Sequence, residues 1–550
     1  MLIKFRLLTF LAFAFLLGCQ PQTPVETDQE LPVAVKKTDY LKLPLNSQVG
    51  QIDPGLVQTP VQMEVIEQLF LGLTGFNPNT FEVTPRLATE WNVDETGTVY
   101  TFTLRQDAYW SDGQPVTAHD VVWAVRRNIR EDTHSPYSFM LHVLKNAETV
   151  SQSFDAKEIE TLGIKALDDY TLQFTLKQPL AYFPALTNLW VYRPLPRHVA
   201  EQHEFTWSQP DYIQTNGPYK LLRWKEEESL VLEKNPYYFD AAKVNIEKVH
   251  YYIVSDRALG LAMYEKDQLD ILGGQGYLPL PEKEVGRVKI DPVLRTQLHV
   301  EPQLCTEWYG FNVQKWPTNS LFVRKAISAA IDKTALIKLV LKNEHEPATT
   351  FVRPPIFGSV DPDENVGIQF NPQQAKRWLA DAGYPDAVGL PKLVLTYHNS
   401  EIHRLVADTV KTMLKHYLNL DVEIQSVGWT HYVDTLAEKA EKPHIFRMGW
   451  CADYPDANNW LYEVFHPDAG INWVGWQSEE FTHLIEEAQQ VPNPAKRKKL
   501  YRRAEQVITE KEAVIAPIFF YNTLFLVKPW IKNWSYIPFG GQPIEDWVID

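Results

Sequence analysis

The sequence predicts an α/β protein assembled from more than one domain, and three observations carry that prediction. At 550 residues the chain exceeds what one hydrophobic core supports, which implies two or three domains. Its 45% hydrophobic and 22% charged content is that of an ordinary globular chain. Residues 393–427 run strand, helix, strand, the order from which α/β lobes are assembled. The formal charge of −16 leaves no basic surplus to neutralise phosphates, so nucleic acid is excluded as a partner. Aromatic residues make up 12% of the chain, with 17 Trp and 25 Tyr, and such rings serve binding surfaces as well as large cores.

The amino terminus reads as a targeting segment rather than structure. Lys4 and Arg6 precede an apolar run over 7–17, which is too short to span a ~30 Å hydrocarbon core. The run ends in Leu16-Leu17-Gly18-Cys19, which resembles the lipobox of bacterial lipoproteins, with Cys19 as the lipidated residue; a plain signal peptide cleaved nearby is the alternative. Residues 20–37, polar and Pro-containing, read as a flexible tether. No other stretch is long and apolar enough to cross a membrane. Three cysteines in an exported chain leave one over unless one is chemically occupied. With Cys19 assigned to the lipid, Cys305 and Cys451 remain, either as one disulfide or as two separate buried thiols.

Along the rest of the chain, residues 61–70 read as a helix and the alternating run 99–105 as a strand. In Trp110-Ser111-Asp112-Gly113-Gln114-Pro115-Val116-Thr117-Ala118-His119-Asp120, Asp-Gly supplies a tight turn, and Thr117 followed by Asp120 supplies the cap of a helix. Strands follow at 221–224 and 230–233, a helix at 260–270, and another at 323–332. The helix at 372–382 is stopped by Gly383. After the strand 393–397, Ser400 can cap a helix whose apolar face holds Ile402, Leu405, Val406, Val410, Met413, Leu414 and Tyr417, and the strand 422–427 comes next. Two more strands, at 514–520 and 524–530, end the chain. No Gly-x-Ser-x-Gly, His-Glu-x-x-His or Walker A sequence occurs, so no enzyme motif competes; neither a metal nor another cofactor is expected.

The most informative stretch is Gly449-Trp450-Cys451-Ala452-Asp453-Tyr454-Pro455-Asp456, preceded by the strand-like run 442–448. With a period of two, Arg447, Gly449, Cys451 and Asp453 share one face while the chain stays extended, with at most ~20 Å between the Arg447 and Asp453 backbones. One cation, one glycine that lets another backbone approach and one carboxylate match an extended peptide, with its ammonium, amides and carboxylate. A sheet strand with Asp453 as a cap and Arg447 in a surface salt bridge fits the same spacing. Asp456 reads as a cap or a solvent-facing acid.

This wording resembles the segment with which oligopeptide-binding proteins of bacterial ABC importers grip their ligand. Together with the motif at 110–121, Pro85-Arg86-Leu87-Ala88-Thr89-Glu90-Trp91 and Thr215-Asn216-Gly217-Pro218-Tyr219-Lys220, it places the resemblance with the family 5 extracellular solute-binding proteins over nearly the whole mature chain. The resemblance implies a two-lobed periplasmic-binding-protein fold with two hinge crossings, mixed sheets and an additional inserted domain. Lobe I would comprise 38–70, 206–304 and 523–550, the inserted domain 71–205, and lobe II 305–522. It implies a non-enzymatic, monomeric protein, exported and lipid-anchored in the periplasm or at the cell surface, that captures oligopeptides and passes them to ABC importer permease subunits. The same fold holding a cell-wall peptide, a metal chelate or haem is the alternative.

Residue by residue, the resemblance makes Asp453 the partner of the peptide α-ammonium and Arg447 that of the carboxylate of a short peptide. Gly449 and Cys451 pair through their backbones with the peptide as an added strand, and Trp450 lies beside a side-chain pocket. Tyr137 is contributed by the inserted domain, and His403 meets the carboxylate of longer peptides. The context Pro302-Gln303-Leu304-Cys305-Thr306 implies that Cys305 and Cys451 are bridged. The chain departs from the pattern at Gln58-Thr59-Pro60, at Thr435-Leu436-Ala437-Glu438, where a second arginine has no counterpart, and at Leu341, where a lysine is replaced. These departures leave the amino-end recognition intact and put recognition of the carboxyl end in doubt.

Overall fold

The computed structural model describes residues 40–550 except 343, 438–441 and 469–471. The leader at 1–19 with Cys19, the tether at 20–37 and Glu438 lie outside the described residues. Three sheets organise the chain. The first has the spatial order Tyr40–Leu45, Lys248–Ile253, Ser229–Lys234, Tyr219–Lys225, with the first pair parallel. The second is antiparallel, in the order Ala88–Val93, Val99–Leu104, Thr171–Thr175, Ile164–Asp168. Their cores are continuous: Leu41, Leu43 and Val249 of the first belong to one hydrophobic cluster with Phe102, Phe174 and Trp190 from the second and its surroundings.

The third sheet is mixed and has seven strands. Its order is Ile271–Gly273, Ile515–Val527, Leu298–Phe311, Ile445–Cys451, Leu393–His398, Val422–Val427, with Glu346–Pro347 added on Ile515–Val527. Two strands in it are unusually long. Leu298–Phe311 and Ile515–Val527 pair antiparallel from Leu298↔Leu526 to Gly310↔Ile515, and their register breaks between Pro302 and Thr306, where proline removes a ladder donor. The C-terminal strand reaches two cores. Phe525 and Val527 pack with the Leu41 cluster, whereas Ile518 and Phe519 pack with Val406, Val410 and Leu414. These two strands are therefore the connection between the two halves of the molecule.

Local chemistry accounts for the elements that frame the site. The helix Ala118–Asn128 starts where the Asp120 carboxylate accepts from the Thr117 N–H (2.8 Å) and hydroxyl (3.1 Å), as the Thr-x-x-Asp spacing requires. The turn before it has Gly113 at φ +88°, a conformation open to glycine. Pro372–Asp381 is capped by Asn371 and followed by Gly383 at φ +93°.

Several boundaries differ from the sequence expectation. The helix expected at 260–270 is Arg257–Glu265, because Asp256 caps Ala258 and Leu259 and Asp267, at φ +59°, follows its end. The helix expected at 323–332 is Leu321–Ala329, and Asp332 caps the next helix instead. The two C-terminal strands are one, so Trp530 falls outside it. On the helix Glu401–Leu418 the buried stripe is His403, Val406, Ala407, Val410, Leu414 and Leu418. Ile402 and Leu405, expected on the apolar face, are exposed; His403 takes the inward position one helical step away. Among the described residues no helix is long and apolar enough to cross a membrane.

Candidate peptide cleft

The strand Ile445–Cys451 is paired along its whole length on one side only. Its residues face Leu298–Phe311 in the register Ile445↔Phe311, Arg447↔Tyr309, Gly449↔Glu307, Cys451↔Cys305. On the other side Leu393–His398 pairs with Ile445 and Phe446 alone. From Arg447 to Cys451 that second edge has no strand partner among the described residues. The Tyr432 hydroxyl donates to the Arg447 carbonyl (2.5 Å), and Cys305 and Cys451 approach to a Cα–Cα distance of 4.0 Å, joined by a disulfide. Such a short separation marks a pair whose backbones do not bond each other. By alternation, Arg447, Gly449 and Cys451 direct their amides to the open edge, which is the side an added strand needs.

The strand ends at Cys451, and Asp453 follows it rather than extending it. Ala452 still donates to the Leu304 carbonyl (2.9 Å), so the chain is held to its neighbour up to the residue before the acid. Buried Asn459 braces the turn beyond the strand. Its side-chain oxygen accepts from the Asp453 N–H and from the Trp450 indole (3.2 Å each), and its amide nitrogen reaches Asp453 Oδ2 (3.4 Å). Burial pushes the Asp453 carboxyl above the usual aspartate range, with only the Asn459 hydrogen bond opposing. No cation offsets it among the described residues. Its charge is felt around it: the Glu463 carboxyl is pushed up to about 7 by burial and then by Asp453, and the Tyr137 hydroxyl rises through burial and then the same charge. Asp456 behaves otherwise. It is 3% exposed, pairs with Arg497 (2.9 Å) and accepts from the Asn458 N–H, so it caps the turn but does not face solvent.

Asp453 opens on a cleft of about 250 Å³ between the two halves of the molecule. Tyr137, Cys305, Cys451 and Asp453 line it together, as does Gln58. Tyr137 stands edge-on to Trp190 (5.4 Å between ring centroids). Residues for which the sequence held no separate signal complete the wall, among them Tyr277, Phe525, Tyr536 and Phe539. Glu64 is a second lining acid, pushed up to about 7 by burial while accepting from the Tyr251 and Tyr277 hydroxyls and the Gln542 N–H. Among the described residues, no lysine or arginine lines the cleft.

Arg447, Gly449, Trp450 and His403 do not line this cleft. Arg447 is not in a surface salt bridge either: it is 7% exposed, and its guanidinium grips the fully buried Glu307 through Nε (2.6 Å to Oε1) and Nη2. Tyr521 closes the group, accepting from Arg447 Nη2 (2.8 Å) and donating to Glu307 Oε2 (2.7 Å). Gly449 makes room for this pair, since a Cβ there would stand 3.1 Å from Arg447 Nη2. His403 Nδ1 lies 3.6 Å from Glu307 Oε1. Burial, then the charge of Arg447 and then His398 push His403 down to about 3, so its imidazole is neutral at physiological pH. The alternation that placed Arg447, Gly449 and Cys451 on one face also puts Glu307, two residues past Cys305, on the facing strand; that signal was available in the sequence.

Residues 82–472 match the family model of bacterial extracellular solute-binding proteins, family 5 middle. The chain is 32% identical over 492 residues to the oligopeptide-binding protein OppA of Bacillus subtilis (strain 168), an alignment that covers 88% of this chain and 87% of that protein. The unliganded open form of the periplasmic murein tripeptide binding protein MppA superposes with a TM-score of 0.84 at 28% identity, covering 93% of this chain and 98% of that one. Another structure, of the Escherichia coli murein tripeptide binding protein MppA, gives 0.66 at 28% identity, with 93% and 99% covered. The fold is thus the two-lobed, mixed-sheet fold of periplasmic binding proteins. The chain belongs to the family 5 bacterial extracellular solute-binding proteins, which bind and carry a solute rather than transform it.

Proposed function

We propose that the chain captures short peptides between its two lobes outside the cytoplasm and delivers them to an ABC importer, with Asp453 receiving the peptide α-ammonium. The observation that carries this reading is a half-buried carboxylate on the cleft wall, without a counter-cation among the described residues, placed where an open strand edge ends. A peptide extended along that edge pairs with the amides of Gly449 and Cys451, while its ammonium supplies the missing positive charge. Desolvating an ammonium is costly unless a charge-assisted partner replaces water, and Asp453 is that partner. The name of the Bacillus subtilis relative, oligopeptide-binding protein, points the same way.

Two solved structures named for one tripeptide-binding protein score 0.84 and 0.66 at the same identity. The higher score belongs to the structure described as the unliganded open form, which supports reading the present arrangement as open. The lobe limits carried into this reading are 38–70, 206–304 and 523–550 for lobe I, 71–205 for the insertion and 305–522 for lobe II. A lipid on Cys19 would hold the protein at the membrane; Cys19→Ser then moves it out of the membrane fraction, and a variant that still sediments with membranes removes the anchor from the account.

Titration calorimetry of a tripeptide and its N-acetyl derivative against wild type and Asp453→Asn tests the central claim. Losing one member of a buried charge pair typically costs ~2–5 kcal/mol, so the variant and the acetylation should each weaken binding by about a hundredfold or more. Acetylation should matter little to the variant. Tight binding of the acetylated peptide by wild type ends the assignment of Asp453. Mass spectrometry of co-purifying ligands separates free peptides from cell-wall peptides, metal chelates and haem.

A further inference from the structure

We infer that Glu307 is a built-in stand-in for a ligand carboxylate. By occupying Arg447 it leaves the site reading peptides by their amino end, so the ligands taken are peptides with a free α-amine whose carboxyl end is amidated or continues out of the cleft. The inference rests on the peptide reading and narrows its substrate class.

The geometry is that of a filled site. Glu307 offers both carboxylate oxygens to the guanidinium, in the forked arrangement that a peptide terminus would use. Its oxygens are then spent: Oε1 on Arg447 Nε, and Oε2 on Arg447 Nη2 and the Tyr521 hydroxyl. Of the Arg447 nitrogens, Nη1 alone is left over, and it reaches no closer partner than His398 Nδ1 at 3.4 Å. Handing Arg447 to a ligand would strand Glu307, which has no exposed surface and, among the described residues, no other Lys or Arg in a salt bridge with it. A second carboxylate brought to the intact pair would instead meet a like charge.

Among the described residues, the other basic groups that hydrogen-bond or pack around Arg447, Glu307 and Tyr521 are already engaged or neutral. Arg353 is engaged by the Tyr521 carbonyl, Glu346 and Asn522. His403 and His398 are both held toward the neutral form, by burial and by Arg447. Among the described residues, the cleft beside Asp453 has no basic residue in its wall.

The test compares trialanine with trialanine amide by titration calorimetry at pH 7, on wild type and Glu307→Gln. Wild type should bind acid and amide within about threefold of each other, whereas Glu307→Gln, which frees the guanidinium while keeping its shape, should prefer the acid by about tenfold or more. A merely structural role for Glu307 would weaken both ligands alike and leave their ratio unchanged. A wild-type preference for the acid of about tenfold or more overturns the inference, and this arm needs no variant to fold. An unchanged ratio in a folded Glu307→Gln also overturns it. If wild type binds neither ligand saturably, the peptide reading itself has failed, an outcome distinct from a wild type that binds both but favours the acid.

Discussion

Two carboxylates flank the Cys305–Cys451 bridge, each two residues past one of its cysteines, and they are opposites. Glu307 is sealed, gripped by Arg447 and Tyr521. Asp453 faces an open cleft with an asparagine for company. The same side-chain chemistry on neighbouring segments of the chain thus serves structure at one end and leaves an unmet charge at the other. The lesson is that a charged residue on a ligand strand announces binding only when its own protein has not already neutralised it.

The contrast is broken most severely at the paired end. Arg447→Met should destabilise the empty protein by ~3–5 kcal/mol in urea unfolding, because Glu307 is left buried and alone. A loss under ~1 kcal/mol would mean that the pair is solvated and the comparison unsound. The bridge between the two ends comes next: reducing it, or Cys451→Ser, should cost ~2–4 kcal/mol. Thiol labelling of the denatured, unreduced protein should find neither Cys305 nor Cys451 free, and stoichiometric labelling of both would remove the shared staple.

Acid sharpens the comparison at the open end. The Asp453 carboxyl is raised, so it takes up a proton above the usual aspartate range, and the neutral acid cannot hold an ammonium. Peptide affinity should therefore fall as pH drops through that raised value, by about tenfold per unit once below it. Asp453→Asn should abolish the dependence; a variant that keeps it would place the titrating group elsewhere. The smallest effect is on stability. A carboxyl raised on folding contributes stability below its unfolded value and loses it as pH rises through the folded value. Ionised Asp453 is thus a burden on the empty protein at neutral pH, and Asp453→Asn should leave its unfolding free energy unchanged or raise it by less than ~1 kcal/mol. A marked loss would show that Asp453 is held by partners after all.

The parts legible in the sequence were those written in local chemistry. The Asp-Gly turn, the Thr117–Asp120 cap and Gly383 arise from backbone preferences, and the structure places them where the spacing does. The alternation through 447–451 located the strand whose second edge is open, and the acid after it is the unpaired one. The hidden parts depend on partners distant in sequence. Arg447 has one aspect as a lone cation in its heptapeptide and another beside Glu307, 140 residues away. His403 was masked because an inward histidine and an outward one obey the same helical period. Ile402 and Leu405 misled for the related reason that an apolar residue one step off the stripe is still apolar. The C-terminal strand was split by its central polar residues, which face partners on the sheet rather than a turn.

The two long strands have a mechanical consequence. Their register breaks between Pro302 and Thr306, and Cys305, inside that interval, is stapled to Cys451. On the proposed reading, in which two lobes close over a ligand, a fulcrum at this interval would sit beside the acid, not at the rim of the cleft. A turn about this point would sweep the far walls through a wide arc but carry Asp453 only a short way, so the proposed ammonium contact could form before the jaws close on the rest of the cargo.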